Sequence, residues 1–461
     1  MLALHRNWTP AMWIKFLGRM LGGTLMFAAA SIAHAQDSNN PPNYLGPGVL
    51  SPGAGNIGNR SGEQVELRYY AGVSGVVDTN LQPFALDAQG NLLRIHNLYG
   101  IVVNAGAYGV HHWKHAQLGL DYGGNYQKHV NADSYNGSDQ HLALGLTVQP
   151  SRHWSLDLRE SVGTISTATS ELINTPSNDN TAVLTPSTLL FDSRTTFLQS
   201  SAYATYLQSA RTSFTFGGSG FWQGQKASGL SDSWGYTLTG SGQRRMTKAT
   251  TLGVSYSHAH YEFPGYHSNS DSNTYHGTFA TAIGQFWTLS LEAGVTVSEV
   301  NSRLTFALAP QLVALFGVPT VTEQVYTRTT YPSGAATLER KFRRASLAFN
   351  YLRGLGSGNG VTTTSRQENA TMSFSYTGIR KVNLGVSGGH YTMVSLGQNT
   401  GSFANYAGSA GFTYTLGRGI SVSARYDVNQ QQIDFGNYNR TSTRATLGLL
   451  FSPGSVPLAL W

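Results

Sequence analysis

The sequence predicts an all-β fold: a transmembrane antiparallel up-and-down β-barrel of about 18 strands, within a range of about 16–20. Three observations carry the prediction. Residues 402–452 alternate strictly, with Tyr406, Gly408, Ala410, Phe412, Tyr414 and Leu416 on one face and Ala407, Ser409, Gly411, Thr413 and Thr415 on the other. Period two over about ten residues marks a strand with one apolar and one polar side. Charged residues make up only 11% of the chain, yet its mean hydropathy is −0.21. Beyond the first 35 residues no apolar run approaches the length of a spanning helix. Finally, short and long connections alternate along the chain, as strands that cross a bilayer back and forth require. A soluble β-sandwich or β-helix is the competing reading of this composition.

Residues 1–35 have the pattern of a secretory signal. Arg6, Lys15 and Arg19 supply the positive region, 20–32 the apolar run, and Ala33-His34-Ala35 the small-x-small cleavage site. The polar, Pro- and Gly-rich 36–61 reads as a flexible periplasmic lead-in, or as a small plug folded into the barrel. The barrel is expected over 62–452, with 453–461 as a C-terminal tail.

Strands are expected from 65, 101, 118, 142, 154, 196, 212, 231, 249, 274, 287, 334, 345, 366 and 382, and then come the closing three. Short turns near 111–115, 150–153, 208–211, 243–248, 284–286, 342–344, 378–381 and 417–419 are assigned to the periplasmic side. The longer connections, 74–97, 166–195, 299–333, 354–365 and 393–401, are assigned to the outside. Trp113, Trp154, Trp287, Tyr414 and Phe451 fall beside short turns, where amphipathic rings form an interfacial girdle. Cysteine is absent, so nothing in the fold depends on oxidation.

Towards its end the chain resembles outer-membrane barrels of the acidobacterial type, a porin-like family with relatives near exopolysaccharide and exosortase loci. The residues that carry the resemblance are 341–347 (KFRRASL), the 376–380 turn (YTGIR) and the terminal 451–461 (FSPGSVPLALW). The resemblance implies a bacterial outer-membrane location and a barrel architecture. It transfers no functional residue. The final strand ends at Phe451 rather than at the chain terminus, unlike the commonest barrel pattern.

Candidate site residues lie on the wet face of the strands. Glu66 and Arg68 on the first strand should meet Arg425, Asp427 and Arg444 on the last two, because first and last strands pair to close a barrel. Asp157, Arg159 and Glu292 complete the charged wall. Such charges tune solute selectivity, or simply stitch neighbouring strands inside a wet lumen. The 299–333 insert is too apolar for a free loop. Phe306 lies in the apolar run before Pro310, and Leu312, Leu315 and Phe316 follow Pro310 at helical spacing, so a short helix there could fold into the pore and constrict it, pack on another loop or contact a subunit.

Enzymatic chemistry is not expected. The nearest match to a nucleophile elbow, Gly217-Gly218-Ser219-Gly220, lacks the required spacing. His111, His112 and His115 crowd one turn without a partner carboxylate, so neither a metal nor a cofactor is expected. His258 and His260 share a strand face with Tyr256, which puts them near the outer interface. The expected function is a porin-like channel for passive diffusion of small hydrophilic solutes. The alternative is a structural or accessory barrel for exopolysaccharide export or surface attachment. Expected partners are outer-membrane lipid, the barrel-assembly machinery, small hydrophilic solutes and other copies of the chain, with no nucleic acid.

Overall fold

The computed structural model describes residues 65–80, 97–130, 136–166, 194–226, 230–307, 320–356, 363–396, 402–417, 419–433, 438–452 and 455–458. The strands are β1 (Val65–Thr79), β2 (Leu98–His112), β3 (Ala116–His129), β4 (Gly137–Ser151), β5 (Trp154–Ile165) and β6 (Thr195–Leu207). There follow β7 (Thr212–Gln225), β8 (Ser233–Arg245), β9 (Thr250–Phe263), β10 (Ser268–Ile283), β11 (Trp287–Ala307) and β12 (Thr320–Lys341). The ring is completed by β13 (Ala345–Gly356), β14 (Ser365–Ile379), β15 (Val382–Ser395), β16 (Ser402–Gly417), β17 (Ile420–Ile433) and β18 (Tyr438–Phe451). A short β19 (Ser455–Leu458) follows. Each strand expected from the alternation is present in its expected order.

Every strand pairs antiparallel with its sequence neighbours, and β1 also pairs with β18 from Ala71↔Phe451 to Thr79↔Thr443. The ring is thereby closed and its ladder has no edge, which satisfies the backbone in hydrocarbon. No helix among the described residues is long and apolar enough to cross a membrane; the strands do the crossing. The short turns collect at one end, with both ends of the barrel chain. In the tightest of them Lys381 and Gly419 take positive φ, at 65° and 79°, as two-residue hairpins demand.

The alternation reads directly as outside and inside. Tyr69, Val73, Val77, Ile101, Val103, Phe216, Val254, Val386, Leu447 and Leu449 are exposed on the outer face. Their neighbours Asp78, Gln127, His129, Thr195, Gln367, Asn405 and Arg444 are buried on the inner one. An apolar exterior wrapped around a polar interior is the inverse of a soluble sandwich, and it places the barrel in a lipid bilayer. The outer-membrane location follows from this inversion, since closed barrels of this kind are the outer-membrane solution to spanning lipid.

Two expectations about the connections are corrected. The 299–333 insert is mostly strand: β11 and β12 run as a ribbon from Trp287↔Arg340 to Ala307↔Thr320. Phe306 pairs with Val321 in this ribbon, and the short helix expected after Pro310 lies outside the described residues. Its alternating Thr, Val and Tyr residues favour extended backbone, and continued pairing satisfies more backbone groups than a lone helical turn. Leu312, Leu315 and Phe316 lie outside the described residues. The second correction concerns the tail. Past Phe451 the chain resumes pairing as β19 against Val65–Arg68, which extends the closure seam. The expected signal and lead-in segments lie outside the described residues.

Candidate functional site: the lumen and its in-folded hairpin

The lumen wall is built from the inner-facing half of each strand. On β17 the Arg425 guanidinium donates to the Asp427 carboxylate at 2.7 Å. Asp427 stands in register with Arg444 on β18, and Arg444 in register with Asp78 on β1. The Arg444 to Asp78 distance is 3.5 Å. On its other side Asp78 meets the His129 imidazole of β3 at 3.1 Å. The row therefore alternates in sign around the closure seam, Arg425, Asp427, Arg444, Asp78, with the His129 imidazole on the far side of Asp78. Asp78 and His129 are 1% and 2% exposed. Buried charges persist only when paired in this way.

His129 reaches Asp78 across the intervening strand because that strand offers Gly100. A side chain at position 100 would begin 2.8 Å from the imidazole. The same device recurs one level away, where the Tyr70 ring of β1 lies over Gly106 of β2 and the His141 ring of β4 over Gly123 of β3. His141 faces Asp121 at 3.7 Å, with both buried. Side chains laid flat over glycines follow the wall instead of projecting across the pore.

The five-charge patch expected at the seam is not assembled. Glu66 and Arg68 pair with Pro457 and Ser455 of β19, twelve and ten positions along β1 from the Asp78–Arg444 level. The error was one of register: Phe451 meets Ala71, not the start of β1, so the partner of Arg444 is Asp78. Asp78 was missed because the alternation was followed only to Val73. Its inward parity, continuous with Tyr70 and Val76, was the available signal. The remaining charges line the wall elsewhere. Asp157 accepts from the Thr147 hydroxyl at 2.6 Å, Arg159 stands in register with Ser201, and Glu292 lies 3.7 Å from His276.

The expected girdle residues all lie at the short-turn end. Trp154 packs on Tyr206 at 4.6 Å, Trp287 lies under the Arg340 guanidinium at 4.8 Å, and the His111 ring stands edge-on to Trp113 at 4.2 Å. Tyr414 and Phe451 are exposed beside their turns. His258 and His260 face outward near the loop end, where His260 meets Asp271 at 2.9 Å and stacks on Tyr236.

The long-loop half of the lumen contains the feature that the alternation could not show. The β12–β13 ladder stops at Gly334↔Arg353, while β13 and β14 stay paired out to Gly356↔Ser365. Strand parity puts Leu355 on the same face of β13 as Phe349, which is 40% exposed towards lipid. Leu355 is nevertheless 8% exposed and packs with Ala259, Tyr261 and Phe263 of β9 and Tyr331 of β12. Those four sit on inner faces. The β13–β14 tip has therefore left the wall and folded into the lumen, with its outer face against the inner surface of β9–β12. One hydrogen bond ties it to β10: the Ser270 hydroxyl bonds that of Thr364. The Leu396 N–H donates to the Thr364 carbonyl at 3.0 Å as the next rung of the β14–β15 ladder. Thr363, Thr364, Ser365 and Gln367 are fully buried.

Phe221 of β7, Tyr266 and Leu396 pack around this cluster. β7 and the end of β15 are eight places apart in a ring of eighteen, so the cluster runs from one side of the lumen towards the other. Tyr266 lies in a short 3-10 turn, Pro264–Tyr266, and burial pushes its phenol above the ordinary range. No group of His, Asp or Glu among the described residues is arranged to hold a metal ion.

No protein-family model matches the chain, and no curated protein matches it. The likeness to acidobacterial-type barrels accordingly remains an expectation. Solved structures are similar in architecture. The outer membrane protein opdK of Pseudomonas aeruginosa is 11% identical with a TM-score of 0.39, covering 84% of this chain and 99% of its own. Pseudomonas aeruginosa OccK2 (OpdF), in complex with glucuronate, is 12% identical with a TM-score of 0.41, covering 85% and 98%. Acinetobacter baumannii OccAB1 is 10% identical with a TM-score of 0.38, covering 86% and 97%. At these values no residue role passes to this chain. Its own closure, apolar exterior and charged interior make it a large β-barrel of the outer-membrane type, with 18 strands around the ring.

Proposed function

We propose that the chain is a porin-like channel through which small hydrophilic solutes diffuse passively, and that the in-folded β13–β14 tip sets its constriction. A single observation carries the reading. Polar and charged side chains are buried on the inner face of most strands, interspersed with apolar ones such as Val102, Tyr391 and Phe403, and the apolar cluster around Leu355 reaches across the lumen. A barrel of 16–18 strands is wide enough to pass water and small solutes unless something fills it. The row Arg425, Asp427, Arg444, Asp78 supplies alternating charge beside the passage, which filters ions by sign and position.

Purified protein in a planar bilayer tests the proposal. Discrete conductance steps are expected. An absence of steps, with the barrel shown to be folded by its gel mobility before and after boiling, would leave the accessory role in exopolysaccharide export or attachment as the better account.

A further inference from the structure

We infer that the adjoining short turns β12–β13 and β14–β15 bind the phosphate headgroup of an anionic phospholipid, in the leaflet at that end of the barrel. This contact is independent of whether the lumen conducts.

The two ends of the barrel differ in charge. Lys114, Arg152, Arg211, Lys248, Arg343 and Arg380 stand exposed in the short turns, and among the described residues no Asp or Glu stands in any of them. Acids such as Asp271 and Glu299 lie towards the other end. Positive charge is densest on the two turns that flank the β13–β14 hairpin. Arg343 and Arg344 stand in the first, Arg380 and Lys381 in the second, all four exposed. The two turns are two strand spacings apart, roughly 10 Å.

Their relation is fixed by hydrogen bonds. The Thr377 N–H donates to the Arg344 carbonyl at 2.8 Å, and the Arg344 guanidinium reaches the Gly378 carbonyl at 3.5 Å. The Lys381 ammonium donates to the Leu416 carbonyl at 3.4 Å. No described carboxylate pairs with any of the four. Glu292 and Glu339, the acids of β11 and β12 nearest this end, share the inner face with Thr296 and Ser333.

Apolar rings interleaved with the cations identify the partner. Phe342 precedes Arg343 and Ile379 precedes Arg380, and both are exposed. The Arg340 guanidinium lies over the Trp287 ring at 4.8 Å and the Phe342 ring at 4.3 Å, and its Nε is buried without a hydrogen-bond partner. The Tyr376 ring lies over Gly378. From this level the outer faces of β13, β14 and β15 continue as Phe349, Phe374, Leu384 and Val386, all exposed. The cations thus stand where the lipid-facing surface ends. Aromatic rings favour headgroup depth, and each Lys or Arg beside an anionic leaflet adds to its attraction. A soluble polyanion would neutralise the cations but leave Phe342 and Ile379 in water. A phospholipid satisfies both, its phosphate on the guanidinium groups and its acyl chains along the Phe374 and Leu384 columns. Guanidinium also matches phosphate geometry with paired hydrogen bonds.

Native mass spectrometry of the full-length protein tests this. The barrel, shown to be folded by its gel mobility before and after boiling, is equilibrated in detergent with equal amounts of phosphatidylglycerol and phosphatidylcholine. Phosphatidylglycerol should be retained in preference. Arg343→Gln/Arg344→Gln/Arg380→Gln removes three charges from exposed turns, leaves the left-handed Lys381 in place, and should lower that preference at least about tenfold. Arg211→Gln/Lys248→Gln, in turns that carry no aromatic ring, should keep it. Equal retention of the two lipids, a preference unchanged in the triple variant, or the same loss in the Arg211 and Lys248 pair would each overturn the inference. Displacement of phosphatidylglycerol by glycerol 3-phosphate at equal concentration would also overturn it, and would make the patch a site for free anions.

Discussion

The docking of the β13–β14 tip rests on Leu355, so its truncation should open the lumen. Leu355 is buried among Tyr261, Phe263 and Tyr331, and replacing a buried leucine by alanine costs about 2–5 kcal/mol. The two hydrogen bonds of Thr364 remain in the variant, which favours a value in the lower part of that range. Taking about 3 kcal/mol, the ratio of docked to undocked tips falls by about two orders of magnitude. The barrel wall is unaffected, because the β12–β13 ladder has already ended at Gly334↔Arg353. In single-channel recordings Leu355→Ala should therefore show a larger mean conductance, or long-lived excursions to a larger level, at unchanged barrel stability. Phe349→Ala, on the same strand face but exposed to lipid, is the matched control. If Leu355→Ala and Phe349→Ala give the same conductance and the same open-state statistics as the parent, the tip does not constrict the passage.

Four further outcomes follow from the wall. Arg425→Ala/Arg444→Ala removes two positive charges from the seam and should shift the ion preference towards cations in bilayer reversal potentials. An unchanged preference would mean that the row only holds strands together. Asp78→Asn leaves Arg444 and His129 without their shared carboxylate, a loss of about 3 kcal/mol for a buried pair, and should lower the temperature of the unfolding gel shift. Glu66→Gln and Arg68→Gln, twelve and ten positions away, should leave the ion preference of the seam as it is. Gly100→Ala should destabilise by about 1–3 kcal/mol, because its Cβ meets the His129 ring, whereas Gly385→Ala meets nothing within 4 Å and should be close to neutral in the same thermal assay.

The alternation of apolar and polar residues determined most of the barrel. It set the strand order, the lipid-facing column of Tyr, Leu, Val and Phe, and the place of Trp154 and Trp287 beside short turns, because period two is a local property of an extended chain. The inward direction of Arg425, Asp427, Arg444, Asp157, Arg159 and Glu292 was legible for the same reason. Which of these charges meet was not. Register across the seam joins residues more than 360 positions apart, and the Asp78–Arg444 pairing depends on where β18 stops against β1. Parity misleads at Leu355, an outward position by alternation that the structure buries in the lumen. Alternation assigns a face to each residue relative to its own strand; it does not say when a pair of strands leaves the wall. That departure is decided by non-local packing, Leu355 against β9 and β12, and by the Ser270–Thr364 hydrogen bond. The sequence by itself specified a membrane barrel with a charged interior. Only the tertiary structure showed where the charges pair and what reaches across the passage.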